Sequence, residues 1–260
     1  MSDGPLFVEE RQQKILEYIK ARKKATVAEL CERFRVSSAT IRNDLRDLEA
    51  GALLIRTHGG AMVKSKTGLE LDSSQKQVRN LEAKQRIAQA ALNLVEDGDT
   101  IILDTGTTTI ELAKRLGGRR NLTVVTNDLP IALLLEELDG VSVLFIGGIL
   151  RKRFHCTVTY GKGWRELLSG LTVDKAFMGV NSLSLEKGAT TPDVTQAETK
   201  KLMIEMALKV ILLCDSSKIG RSSFARFATL DQIDAVVTES IPEEILRRFE
   251  QHGIEVVVAP

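Results

Sequence analysis

The sequence predicts an α/β protein in two parts: a small N-terminal head of helices closed by a hairpin, and a larger body on a mostly parallel sheet. Three observations carry this. Apolar residues recur at helical spacing between capping signals through the first fifty positions, short β-branched runs alternate with helical patterns from residue 100 onward, and a polar stretch with no sustained period lies between. The expected division is 1–64 for the head, 65–75 for a linker and 76–260 for the body.

The composition fits that plan. With 260 residues, 43% hydrophobic and 27% charged, the chain can bury two cores. Aromatic residues make up only 4%, so Val, Ile, Leu and Ala must fill those cores, and stacking platforms for single-stranded nucleic acid are disfavoured. The longest apolar run, 129–135, is too short for a membrane span, and Glu9, Glu10 and Arg11 arrive before any signal-like segment. A cytoplasmic protein with no membrane partner is expected. Cys31, Cys156 and Cys214 stand far apart without C-x-x-C spacing, which argues for reduced thiols rather than a disulfide framework or zinc site. His58, His155 and His252 are equally scattered, so no metal and no other cofactor is expected.

The charge is uneven. Residues 1–66 hold 13 Lys and Arg against 9 Asp and Glu, and the remaining residues hold 23 against 26. A mildly basic head on a mildly acidic body fits nucleic-acid binding, although a solvated charged surface gives the same count.

In the head, Ile15, Leu16 and Ile19 make an amphipathic first helix over 8–22. Thr26 and Glu29 form a capping box that opens a short second helix burying Val27, Leu30, Cys31 and Phe34. Ser37 or Ser38 caps a third helix whose Ile41, Leu45 and Leu48 face inward. Two short helices joined by a tight turn make a helix-turn-helix. The outward face of the third helix carries Ser38, Ala39, Thr40, Arg42, Asn43 and Arg46, residue types that read major-groove base edges from the start of such a helix. Residues 53–63 alternate around Gly59-Gly60 as a hairpin, a wing whose Arg56 and His58 reach phosphate or the minor groove. The expected DNA-binding set is Ser37, Ser38, Thr40, Arg42, Asn43, Arg46, Arg56 and His58; a three-helix bundle with a merely polar surface is the alternative.

These residues carry a family likeness. Residues 10–15 (Glu-Arg-Gln-Gln-Lys-Ile), 36–45 (Val-Ser-Ser-Ala-Thr-Ile-Arg-Asn-Asp-Leu) and 56–61 (Arg-Thr-His-Gly-Gly-Ala) resemble the DNA-binding head of DeoR-family bacterial transcriptional regulators.

The body should open with one long helix over 76–95. Strands follow at 100–103, 122–126, 141–146, 175–180, 210–214, 235–238 and 255–258, separated mostly by helices near 108–116, 129–138, 163–168, 195–208 and 242–252. Strands alternating with helices imply a largely parallel sheet covered on both faces, with ligands at the strand carboxyl ends. That rule gathers Asp104, Thr105, Gly106, Thr107 and Thr108 after the first strand, Thr126, Asn127 and Asp128 after the second, and Gly147 and Gly148 after the third. Asn181 follows the fourth and Lys218 the fifth. A Thr-rich turn alone is more often a helix cap; with the four other polar strand ends it reads as a cleft where backbone N–H groups take phosphate and side chains take hydroxyls.

The same loops, with residues 176–180, 188–193 and 198–200, resemble the DeoR sensor domain, which is related to ribose-5-phosphate isomerases and CoA transferases. The resemblance implies a phosphorylated sugar as effector, double-stranded operator DNA as partner, and repression of a carbohydrate operon. It adds Asp193 and Glu198 to the expected effector set. Asn181 departs from the acidic residue common among relatives there. Residues 151–156 (Arg-Lys-Arg-Phe-His-Cys) are the least familiar stretch and read either as a solvated basic loop or as a determinant of ligand choice.

The rival reading is a phosphosugar isomerase. Its family pattern places the base glutamate at Lys200 and paired aspartates near Met178 and Asn181, so the acid/base set is missing, and Glu198 points about 200° away on a helix. Binding without turnover is therefore expected. A partner-binding module with an empty cleft is the third reading. Because one short head reads one half-site, a homodimer or homotetramer is expected.

Overall fold

The computed structural model describes residues 7–22, 24–50, 53–57, 59–63, 70, 72–159 and 162–260. Two compact units divide the chain, 1–66 and 67–260.

In the first unit, α1 (Val8–Arg22) is followed by β1 (Lys24–Thr26), α2 (Val27–Phe34), α3 (Ser38–Ala50), β2 (Leu54–Thr57) and β3 (Gly60–Val63). Ile15, Leu16 and Ile19 of α1 pack with Leu30, Ile41, Leu45 and Leu48 in one small core. The capping box at Thr26 and Glu29 is present. Ser37 rather than Ser38 caps α3, its Oγ accepting from the Thr40 N–H at 3.1 Å. The three residues of β1, too few to show a period, are a strand the sequence does not predict. They pair with β3, giving a three-stranded sheet in the order β1-β3-β2. This sheet moves the turn: Gly60 belongs to β3, opposite both Thr57 and Thr26, rather than to a Gly-Gly loop. A Cβ at Gly60 would stand 2.3 Å from the Ala25 carbonyl oxygen, so only glycine allows β1 this close.

The second unit opens with α4 (Ser73–Val78) and α5 (Leu81–Leu92), not with one long helix. The break is at Asn80, whose backbone is left-handed at φ 52°. Its side chain donates to Asp215 at 3.0 Å and to the Ser217 hydroxyl at 3.2 Å, contacts an unbroken helix would forgo. Asp72 caps α4, so that helix begins inside the expected linker; residues 65–69 and 71 of that linker lie outside the described residues.

Then follow β4 (Thr100–Leu103), α6 (Thr107–Ala113), β5 (Leu122–Thr126), α7 (Leu129–Glu136), β6 (Val141–Phe145), β7 (Ile149–Arg151), β8 (Cys156–Val158) and α8 (Lys162–Leu168). The chain continues as β9 (Val173–Gly179), β10 (Ser182–Ser184), β11 (Gly188–Thr191), α9 (Val194–Glu205), β12 (Ala207–Leu213), β13 (Ala225–Ala228), β14 (Ala235–Thr238), α10 (Glu243–Gln251) and β15 (Glu255–Val258). The seven expected strands form one parallel sheet in the order β15-β14-β12-β9-β4-β5-β6. Alternate residues serve two cores. Ile102, Met178 and Leu212 meet Met203 of α9 and Phe249 of α10, while Ile101, Phe177 and Ile211 meet Ile87 of α5, Leu112 of α6 and Ile131 of α7.

Strand β12 starts three residues earlier than expected because Ala207 pairs with Val173, which ends α9 at Glu205. Two small sheets were not expected: the hairpin β7–β8 and the antiparallel sheet β10-β11-β13. Their strands are three or four residues long, too short to show a period, and those of the second sheet are rich in Ser, Thr and Ala.

Candidate functional site: an exposed recognition helix and a charged cleft

On the head, α3 turns Ile41, Leu45 and Leu48 inward, and this exposes Ser38, Arg42, Asn43 and Arg46 along the opposite side, with Ser37 exposed at the cap and Thr40 half-buried. The Arg42 guanidinium lies 3.5 Å from the Ser38 hydroxyl, at the limit of a hydrogen bond. What fixes this helix was not anticipated: Asp44, 2% exposed, takes two hydrogen bonds from Arg11 of α1 at 2.7 and 3.0 Å and one from Gln12 at 3.3 Å. On the wing, Arg56 is exposed, with its side chain 3.6 Å from Glu49 and its backbone N–H bonded to the same carboxylate. His58 lies outside the described residues.

In the body, the order of the sheet reverses between β4 and β9. Two loops diverge there, which in parallel sheets opens a crevice at the carboxyl ends. Asp104 follows β4 at that point and is fully buried. One of its oxygens, Oδ2, accepts from the Gly179 N–H at 2.9 Å and from Lys200, which α9 brings in and which also donates to the Gly179 carbonyl at 2.8 Å. Its other oxygen is buried without a partner among the described residues. Burial drives the Asp104 pKa upward, against the pull of Lys200.

Beside it the Thr105 hydroxyl donates to Asp128 Oδ2 at 2.7 Å, while Asp128 Oδ1 caps α7 by accepting from the Ile131 N–H at 3.1 Å. Burial, with Asp104 adding repulsion, pushes Asp128 up to about 6. Thr126 accepts from the Asp128 N–H, and Asn127 donates to the Thr157 carbonyl at 2.7 Å, which pins the β7–β8 hairpin across the strand ends. The Asn127 side-chain oxygen is buried without a partner among the described residues. Gly148 allows the same hairpin, since a Cβ there would meet the Val158 carbonyl oxygen at 2.2 Å; Gly147 faces Trp164. Gly106 precedes α6, with Thr107 half-buried and Thr108 buried at its start.

The far wall is built from later loops. Lys218 lies 3.2 Å from Asp215; burial works to raise the Asp215 pKa, but Lys218, Ser217 and Asn80 outweigh it and hold the group ionised below its ordinary range. Asn181 accepts from Thr191 at 3.1 Å, and Asp193 caps α9 by accepting from the Gln196 N–H at 2.8 Å. Glu198 does not join this group: it is exposed and paired with Lys201 at 2.6 Å, on the other side of α9 from Lys200. Lys76 and Glu70 were not expected. Arg151, open in the sequence between a solvated basic loop and a determinant of ligand choice, is 13% exposed and lies 3.4 Å from Asp193, while Lys152, Arg153 and His155 are exposed. Its Nη1 is a third buried polar atom without a partner among the described residues.

A helix-turn-helix with a wing, joined to an α/β body with a charged cleft, defines a DNA-binding regulator that carries its own sensor. The chain belongs to the DeoR family: the DeoR-like helix-turn-helix domain matches residues 11–67 and the DeoR C terminal sensor domain matches residues 79–240. It is 37% identical over 249 residues to the HTH-type transcriptional regulator GlpR of Haloferax volcanii, covering 95% of this chain and 96% of that one. It is 34% identical over 255 residues to the HTH-type transcriptional repressor GlcR of Bacillus subtilis, covering 97% of each. Ribose 5-phosphate isomerase A of Methanocaldococcus jannaschii overlaps 54% of the chain and 55% of its own at 19% identity and a TM-score of 0.40, a likeness from which no chemistry follows. The protein is a transcriptional regulator and not an enzyme. Among the described residues no helix is long and apolar enough to cross a membrane.

Proposed function

We propose that the body binds a phosphorylated sugar at the carboxyl edge of its sheet and that this binding releases the head from operator DNA, so that the protein represses a carbohydrate-utilisation operon in the cytoplasm. One observation carries the reading. Three buried polar atoms, Asp104 Oδ1, Asn127 Oδ1 and Arg151 Nη1, lack partners among the described residues, and Lys200 and Lys218 lie at the same edge of the sheet. Buried polar groups are almost always satisfied, so two acceptors and a cationic donor together suit the hydroxyls and the phosphate of one ligand. Asp104, Thr105, Gly106, Thr107, Thr108, Asp128 and Asn181 complete the set on this reading, with Thr126, Gly147, Gly148 and Asp193 shaping the loops that hold it.

For release, the effector must favour one of two conformations; moving a population from 1:99 to 99:1 takes about 5.5 kcal/mol, which a homodimer or homotetramer divides among its sites. Two heads on one operator give a footprint with half-sites one or more turns of roughly 34 Å apart. A thermal-shift comparison of sugar phosphates with the corresponding free sugars tests the cleft. A ligand at a hundred times its dissociation constant adds about 2.7 kcal/mol, and Lys218→Ala should abolish the preference for the phosphorylated form. Equal response to both forms in the unaltered protein would remove phosphate from the reading.

A further inference from the structure

The segment entering the body is tied to the cleft by charge. Glu70, whose side chain is 6% exposed, accepts from Lys76 of α4 at 2.6 Å and from Arg151 of β7 at 2.8 Å. Both cations also face the ring of Phe154, Arg151 at 4.0 Å and Lys76 at 5.2 Å from its centre. Burial works to raise the Glu70 pKa, and Lys76 and Arg151 outweigh it, so Glu70 stays a carboxylate. Lys76 in turn is pushed down by burial and, further, by Lys218 and Lys200, which places these three lysines in one field. Glu70 is thus the counter-ion to two of the cations that border the cleft.

The rest of α4 is pinned to the cleft walls as well. The Ser73 N–H donates to the Arg153 carbonyl at 3.1 Å, and Asn80, just beyond the helix, holds Asp215, the partner of Lys218. Buried Lys84 donates to the carbonyls of Lys76 and Arg79.

We infer that Glu70 is an internal anion standing in for the effector's phosphate: it holds Arg151 and Lys76 when the cleft is empty, and a phosphate monoester that takes those cations frees the segment from residue 70 through α4. The identity of the competitor rests on the sugar-phosphate reading above; the latch itself rests on contacts within the chain. A phosphate dianion carries more charge than a carboxylate and one more acceptor oxygen, so it can bind both cations and also reach Arg151 Nη1, which has no partner among the described residues. In the sequence residues 67–69 separate Glu70 from the head unit, so the latch sits on the part of the body nearest the head along the chain.

Hydrogen exchange on the full chain tests this, using inorganic phosphate as the probe and sodium chloride at matched ionic strength as the control. In the unaltered protein, phosphate should raise exchange across residues 73–78 several-fold, while chloride should not. Glu70→Gln should show the raised exchange without phosphate and should bind phosphate about ten-fold more tightly by calorimetry, because its competitor is gone. Unchanged exchange in Glu70→Gln overturns the latch, whatever phosphate does. Raised exchange in the variant, with no phosphate binding by either protein, keeps the latch and overturns phosphate as its competitor. If that variant fails to fold, Lys76→Gln serves: raised exchange supports the latch and unchanged exchange overturns it.

Discussion

Lys200 of α9 and Asp104, the residue after β4, form a fully enclosed ion pair at the point where the order of the sheet reverses. Lys200 is the cation that meets the Asp104 charge, with backbone N–H groups of Gly179 and Thr105 assisting. Lys200→Met should therefore leave a buried, uncompensated carboxylate and cost about 3–5 kcal/mol in urea unfolding at pH 8. Without its cation, Asp104 rises further in pKa and takes up a proton more readily, so the loss should shrink at pH 5. The double variant Asp104→Asn/Lys200→Met should recover part of it. A loss that does not change with pH would mean the damage is steric.

How much of this site was legible follows from what each residue shows in one dimension. Asp104 stands between a β-branched run and a Thr-rich turn, a position a parallel sheet reserves for ligands, so it could be placed from sequence. Lys200 could be assigned to a position in the family pattern but not to a partner, since a lysine on a helix reads as solvated until the packing is known. Glu70 carried no signal at all: it lies in a polar run with no period, and its partners come from 6 and 81 positions away. Glu198 was grouped with the cleft by family likeness, while helical geometry alone had already turned it away from Lys200. The seven sheet strands were legible as apolar, mostly β-branched runs, which β4, β5 and β14 bury on both faces while the edge strands β6 and β15 do not; β7, β8, β10, β11 and β13 exist through pairing rather than through any pattern of their own.

Asp44 should prove essential to DNA binding without touching DNA. It lies on the inner side of α3 in a bidentate pair with Arg11, whose side chain is 11% exposed. Asp44→Ala removes both of those charge-assisted hydrogen bonds and the one from Gln12, and should cost the head about 3 kcal/mol. Asp47→Ala, one turn on and exposed, loses only a surface hydrogen bond from Gln12 and should stay within about 1 kcal/mol. Denaturation followed on the head, alongside operator binding, checks both; equal effects would mean that Arg11 does not orient α3.

Asp128 should make the body less stable as pH rises. Its folded pKa of about 6 lies above the ordinary carboxylate value, so between roughly pH 4 and 6 the folded state binds more protons than the unfolded one. The stability tied to this proton is complete below pH 4 and is lost through pH 6, a change of about 2–3 kcal/mol. Asp128→Asn keeps a cap for α7 and carries no charge, so its stability curve should be flatter across that window and higher than that of the unaltered protein at pH 8. Parallel curves for the two proteins would place the titration elsewhere.

Arg42 should read a base. Its side chain is exposed near the start of α3, the part of a recognition helix that enters the major groove, and its weak contact with Ser38 leaves the guanidinium able to grip a guanine in two places. Arg42→Ala should then cost about 1–3 kcal/mol on the operator, roughly 5- to 150-fold, with a much smaller loss on unrelated DNA. Arg56 differs in kind. It stands on the wing beside Glu49, and a phosphate contact from there is indifferent to sequence. Arg56→Ala should weaken both DNAs alike and lower the slope of log affinity against log salt by about 1. Fluorescence anisotropy over a salt series, on the operator found by footprinting, separates the two. Equal loss on both DNAs for Arg42→Ala would assign Arg42 to the backbone and leave Asn43 and Arg46 as the residues of α3 to test for base contact.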